Sequence, residues 1–150
     1  MRHYLLALAV FCAGCGSASE NSPEPALGVS IAETPISRCM NLGSALEAPR
    51  EGEWGYIVRR ADLVRLQDAG FDTIRLPVRW SVHADESAPY TIDPTFLARV
   101  DEIVAWADEI GLQIIVNVHH YDKMNEDPDT HEPRLEAIWD QLSTHFISAP

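Results

Sequence analysis

An α/β fold built on a parallel sheet is the class this sequence predicts, and three observations predict it. From Ile36 onward, short apolar runs alternate with amphipathic stretches in the order β-α-β-α-β-α. Two of those runs, FDTIRLPVRW and LQIIVNV, are rich in β-branched and apolar residues, as strands covered on both faces are. The first two amphipathic stretches each close on a glycine, Gly70 and Gly111, just ahead of the next strand.

The elements follow in order. The first strand-like piece is Ser37 to Leu42 (SRCMNL), and the loop GSALEAPREGEWG comes after it. Cys39, beside Met40, reads as a buried small hydrophobe. A helix is predicted from about Tyr56 to Ala69, because Leu63, Leu66 and Ala69 recur at spacing three on one face. FDTIRLPVRW is the second strand, with Pro77 near its end, where a lost N–H is tolerable. Asp93-Pro94 opens the second helix as N-cap and first-turn proline. Leu97, Val100, Val104 and Ala107 line its inner face. The third strand runs from Leu112 to Val118. A polar loop, DKMNEDPDTHEP, then leads to a third helix from about Arg134 to Phe146, with Leu135, Ile138 and Leu142 in register. Trp106 and Trp139 fall within helices and read as packing residues.

Two architectures use this order, a doubly wound open sheet and an eight-stranded (β/α) barrel. The first turn, NLGSALEAP, lacks the GxGxxG spacing that cradles a pyrophosphate, which argues against the open sheet. In a barrel, functional groups gather at the C-terminal ends of successive strands. Here those ends carry Asn41, Arg75 and His119-His120, so the barrel is favoured. A barrel takes eight units and about 250 residues. Residues 36–150 therefore read as the N-terminal three βα units of a (β/α)8 TIM barrel, incomplete in this chain. A small, complete three-layer domain is the alternative.

The chain opens MRHYLLALAVFCAGCGS, with a basic start at Arg2 and an apolar run from Tyr4 to about Ala13. Residues 1–15 read as a secretory signal, since the run is too short to span a bilayer. Cys12-Ala13-Gly14-Cys15 resembles a bacterial lipobox, with Cys12 where that motif prefers Leu, and makes Cys15 the expected lipidation site. The expected location is the envelope, by a lipid anchor, or otherwise the secreted fraction. Residues 16–35, rich in Ser, Glu and Pro, read as a flexible tether. With cleavage at Cys15 only Cys39 remains beside it, so no disulfide framework is expected. Eleven basic residues against 23 acidic ones give a formal charge of −12. That balance argues against nucleic acid and anionic membrane surfaces as partners and fits a neutral or cationic ligand.

Arg75 sits in an apolar strand and must meet acceptors there; a carboxylate is the natural partner for its fork. His119 and His120 are adjacent, so strand alternation predicts one toward the barrel axis and one toward the helix layer. The pattern HHxD, with His131 nearby, offers metal ligands. Adjacent histidines on a strand point apart, however, so no metal and no cofactor is expected. Trp80, Tyr121 and Trp54 lie at strand ends or in loops, where flat aromatic faces suit sugar C–H faces; Trp54 reads equally well as loop packing. Glu47, in the first loop, is a candidate for binding substrate hydroxyls or a solvated carboxylate.

Taken together, MNLGSALEAP, GFDTIRLPVRW and GLQIIVNVHHYD resemble the N-terminal part of a glycoside hydrolase family 5 domain, the cellulase-like family of clan A. The resemblance covers about residues 36–146. It implies a (β/α)8 barrel of a retaining endo-glycanase acting on β-1,4-linked glucans, mannans or related polysaccharides. By position, Arg75 resembles the strand-two arginine that hydrogen-bonds the nucleophile carboxylate. His119 resembles the histidine lining the glycone side of the cleft, and His120 a second histidine found in part of the family. Asn41 and Glu47 fall in the first strand-end motif, commonly NLGN, where this chain has Ser44. The family's two catalytic glutamates lie at the ends of strands four and seven, the first in Asn-Glu-Pro. Asn125-Glu126-Asp127 lies in a predicted loop and does not match that motif. The catalytic pair is thus expected beyond Pro150, the chain alone is expected to be inactive, and the expected partner is a β-linked polysaccharide. Two other readings are a non-catalytic carbohydrate-binding fragment and a metal-dependent barrel hydrolase.

Overall fold

The structure is a computed structural model and describes residues 35–147 and 149. The expected leader over residues 1–15, with Cys15, and all of the expected tether except Pro35 lie outside the described residues. Strands β1 (Cys39–Asn41), β2 (Thr73–Val78) and β3 (Gln113–Val118) pair in parallel, in the order β1-β2-β3. Helices α1 (Arg60–Asp68) and α2 (Pro94–Ile110) connect them, and α3 (Asp122–Glu126) and α4 (Pro128–Phe146) follow β3. This is the alternation expected of successive βα units. No described helix is long and apolar enough to cross a membrane.

The two glycine closures are built alike. After α1, the Gly70 N–H donates to Gln67 C=O (2.8 Å) and the Phe71 N–H to Leu66 C=O (3.0 Å). After α2, the Gly111 N–H donates to Asp108 C=O and the Leu112 N–H to Ala107 C=O, both at 2.9 Å. Each glycine has φ above 80°, the left-handed conformation this double bond requires. The Asp93 carboxylate accepts from the Thr95 N–H (2.8 Å) with Pro94 in the first turn, as the sequence predicts.

Two helix boundaries differ from expectation. α1 starts at Arg60 rather than near Tyr56, because residues 56–59 are drawn into the preceding loop. The Glu51 carboxylate accepts from the Val58 N–H (3.0 Å), and Asp62 accepts from the Arg59 N–H (3.1 Å) and the Tyr56 hydroxyl (3.2 Å). α4 starts at Pro128, inside the segment expected to be a polar loop. Asp127-Pro128 repeats the opening of α2: Asp127 accepts from the Thr130 N–H (3.3 Å) with proline next in the chain.

The core lies between the sheet and the helices. Ile74, Leu76 and Val78 on one face of β2 are fully buried with Leu63 of α1, Val100, Ile103 and Ala107 of α2, and Ile138 of α4. On the opposite face, Asn41, Arg75 and Ile115 stand side by side in register. Cys39, on that less covered face of β1, is exposed rather than buried as expected, since β1 is an edge strand.

Pro77 sits in the middle strand without loss. The neighbouring odd-numbered backbone groups turn toward β1: the Leu42 N–H donates to Arg75 C=O and the Arg79 N–H to Leu46 C=O, both at 2.9 Å. Pro77 lies between them, and its missing N–H falls on the β1 side after β1 has ended at Asn41.

Beyond β2, His83 stacks flat on Phe96, with ring centroids 3.5 Å apart at 8°. Burial lowers its pKa below the ordinary histidine value, with Asp93 pulling the other way. His119 shifts in the same direction, through burial first and then the charges of His120 and Arg75. In the unfolded chain both titrate near pH 6.5, so the unfolded state takes up protons first. Their contribution to stability is expected to be full above about pH 6.5, to fall as pH drops through that value, and to level off below the folded pKa. Urea midpoints measured across this range, and their flattening in a His83→Gln, His119→Gln double variant, check this.

Candidate functional site

The C-terminal ends of the three strands carry one cluster of polar groups. Asn41 closes β1 in register with Arg75 of β2, whose Nη1 donates to Asn41 Oδ1 at 2.7 Å. The acceptor expected for Arg75 was a carboxylate; among the described residues it is an amide oxygen, which leaves the rest of the guanidinium fork for another group. His119 is the first residue past β3, and its backbone N–H donates to Val78 C=O (2.8 Å), extending the ladder by one rung.

Glu47 arrives from the loop after β1. Its Oε1 accepts the Ser44 N–H at 2.6 Å, while Oε2 lies 3.5 Å from His119 Nε2. The loop needs a left-handed residue at Ser44, with φ of 63°. Serine tolerates that conformation less well than asparagine, whose short amide bonds locally. Burial keeps His119 neutral at pH 7, and Glu47 only partly opposes this.

His120 breaks the strand's alternation. Its φ is 51°, and the turn brings its ring beside that of His119, centroids 4.2 Å apart, instead of sending it to the helix layer. The His120 carbonyl holds the turn by accepting from Arg79 Nε (3.2 Å) and the Ser81 hydroxyl (3.1 Å). Arg79 is itself fixed by Asp122, 2.6 Å from its Nη2. One donor atom each from Glu47, His119 and His120 therefore lies within 4.8 Å of the others. These adjacent histidines do not point apart, because the left-handed turn at His120 takes it off the strand.

Trp54 joins the cluster. It is exposed and meets His120 edge-on at 6.1 Å, which leaves part of its flat face open beside the histidine pair. Its signal was the setting, a lone large aromatic between Gly52 and Gly55, both with positive φ.

Two expected sugar-binding residues are not in the site. Trp80 is fully buried, edge-to-face with Phe96 at 5.6 Å. It shares parity with Ile74, Leu76 and Val78, so the alternation that aims Arg75 at the site aims Trp80 at the helices. Tyr121 is buried too: its hydroxyl accepts from Arg134 Nη1 (3.0 Å) and lies 3.2 Å from His131 Nδ1. Both are framework residues, not sugar platforms.

Arg134, which the sequence marked only as a helix start, supports this face from below. It is buried, and its guanidinium donates to the carbonyls of Asp85 (2.9 Å), Ser81 (2.9 Å) and Ala84 (2.7 Å) besides Tyr121. It thereby ties the loop after β2 to the residue following His120. A second concavity, a groove of about 700 Å³ beside Met124, Leu135 and Trp139, lies on α3 and α4 and holds none of these strand-end groups.

Known proteins share this fold. Residues 40–150 match the family model for cellulase, glycosyl hydrolase family 5. The chain is 41% identical over 106 residues to Endoglucanase H of Acetivibrio thermocellus, covering 71% of this chain and 12% of that protein. It is 33% identical over 117 residues to Endoglucanase A of Ruminococcus albus, covering 32% of it. Cel5A of Thermotoga maritima, solved in complex with mannotriose, superposes with a TM-score of 0.75 at 39% identity, over 77% of this chain and 37% of that one. A complex of the same enzyme with cellobiose matches equally well. The chain thus spans well under half the length of these relatives, and its three βα units correspond to part of their (β/α)8 barrel. By its matched residues and by the strand ends they form, the chain belongs to glycosyl hydrolase family 5.

Proposed function

We propose that this chain is the front part of a retaining endo-β-glycanase that hydrolyses β-1,4-linked polysaccharide, and that it supplies the sugar-gripping side of the cleft. The observation that carries this reading is the convergence of Asn41, Arg75, Glu47, His119, His120 and Trp54 on one strand-end face. Relatives named endoglucanases, and solved complexes with cellobiose and mannotriose, support the substrate class. A retaining glycosidase needs two carboxyls about 5–5.5 Å apart. Glu47 is engaged with the Ser44 N–H and faces His119, a setting that suits binding rather than attack. The acid/base and nucleophile are assigned to strands four and seven, beyond residue 150. Arg75 retains N–H donors to keep the nucleophile ionised. The imidazoles bond sugar hydroxyls, and Trp54 stacks on a pyranose C–H face. The same proposal places the protein outside the cytoplasm, anchored through Cys15.

Two measurements test it. The purified 150-residue chain is expected to show no turnover of a soluble β-glucan, and turnover would overturn the placing of the glutamates. In the protein extended through strand eight, Arg75→Ala is expected to lower kcat by on the order of 10²-fold, and Trp54→Ala to act mainly on KM. Wild-type kcat in the Arg75 variant would remove Arg75 from the site.

A further inference from the structure

We propose that Glu47, His119 and His120 form a binding site for a divalent transition-metal ion, with zinc the best match. Ligands at about 2.0–2.1 Å around a tetrahedral ion stand roughly 3.4 Å from one another. Glu47 Oε2 and His119 Nε2 are already at 3.5 Å, so one edge of that tetrahedron exists. One donor atom each of Glu47, His119 and His120 lies within 4.8 Å of the others, and the His120 ring that completes the set is exposed.

The backbone has been arranged for this convergence. The left-handed region is unfavourable for a non-glycine residue, and His120 is held there by the two hydrogen bonds to its carbonyl. Glu47 is oriented by the Ser44 N–H on Oε1, which leaves Oε2 directed at His119. The other groups of the HHxD pattern are occupied: Asp122 pairs with Arg79, and His131 Nδ1 meets the Tyr121 hydroxyl. Glu47 takes the place the sequence pattern suggested for Asp122. Two imidazole nitrogens and one carboxylate suit zinc, nickel or copper and not magnesium or calcium, which prefer all-oxygen shells. The nearby Arg75 charge opposes the cation, and the fourth position faces open solvent. Affinity is therefore expected to fall below that of a four-ligand structural zinc site.

The competitive consequence rests on the proposed function. The three ligands are the groups assigned to grip sugar, so metal and glycan cannot occupy them together. Zinc acts as an inhibitor of this cleft, not as its catalyst.

The test is a calorimetric titration of the chelator-treated 150-residue chain with zinc chloride, paired with the visible spectrum of bound cobalt. One ion per chain is expected, with affinity reduced tenfold or more in Glu47→Gln, in His120→Gln and in His119→Gln. His145→Gln, on the far end of α4, is expected to bind as the parent does. Far-UV circular dichroism checks the fold of each variant. If His119→Gln unfolds, the two loop-side variants still decide. Absence of zinc binding, or binding untouched by Glu47→Gln and His120→Gln, overturns the inference. Excess cellotriose is expected to weaken zinc binding. Zinc binding lost in those variants but indifferent to cellotriose leaves the metal site standing and sinks the sugar reading; cellotriose binding without zinc binding does the reverse.

Discussion

Replacing Trp80 by alanine is expected to cost about 3–5 kcal/mol, while the same change at Trp54 stays within about 0.5 kcal/mol. The two indoles differ in how much of each the fold covers. Trp80 is fully buried against Phe96, so its removal leaves a cavity among residues that the sheet prevents from closing in. Trp54 is nearly half exposed, at 46%, and touches the fold chiefly along one edge of His120. The indole N–H of Trp80 finds no acceptor among the described residues, so Trp80→Phe is expected to cost less than about 1.5 kcal/mol. Urea denaturation of the three variants reads all of this. Equal losses at Trp54 and Trp80 would show that Trp54 is a packing residue and would take it out of the candidate site.

Arg134→Ala is the second large effect, at about 3 kcal/mol. Among the described residues this buried guanidinium pairs with no carboxylate, and its hydrogen bonds go to neutral oxygens, three carbonyls and the Tyr121 hydroxyl. Truncation removes the donor of four partly or fully buried oxygens at once, and an oxygen left unsatisfied when buried costs about 1–3 kcal/mol before relaxation. Arg134→Lys is expected to recover less than half of the loss, because one ammonium cannot reproduce a planar fork reaching four acceptors. Faster amide exchange over residues 81–85 and 120–122 would accompany the loss. Full stability in the lysine variant would show that charge, not fork geometry, is what this position supplies.

Much of the fold was legible because its signals are local. Gly70 and Gly111 announce the two helix ends, and the two apolar strands announce a covered sheet. Two of the differences follow from local rules that hold further along the chain than their surroundings suggest. Asp127-Pro128 is the same helix opening as Asp93-Pro94, yet it sits in a segment polar enough to pass for a loop. Trp80 was assigned to the site by its place at a strand end, although counting by twos from Ile74 puts it with the core. His120 is the harder case, since its left-handed turn depends on Arg79 and Ser81 reaching its carbonyl from another loop. Arg134 is of the same kind: a lone arginine at a helix start gives no hint that four oxygens from elsewhere in the chain will surround it.

Pro77 has a consequence beyond the bond it lacks. A residue with an N–H at that point would allow β1 to zip one step further, pairing Gly43 and pulling the following loop along the sheet. Each added step advances the chain by about 3.3 Å. Glu47 would then be carried past His119, which it now meets at 3.5 Å. The imino acid withholds one rung on the side where β1 has run out, and the chain is left free to turn at Ser44 and bring the carboxylate to His119.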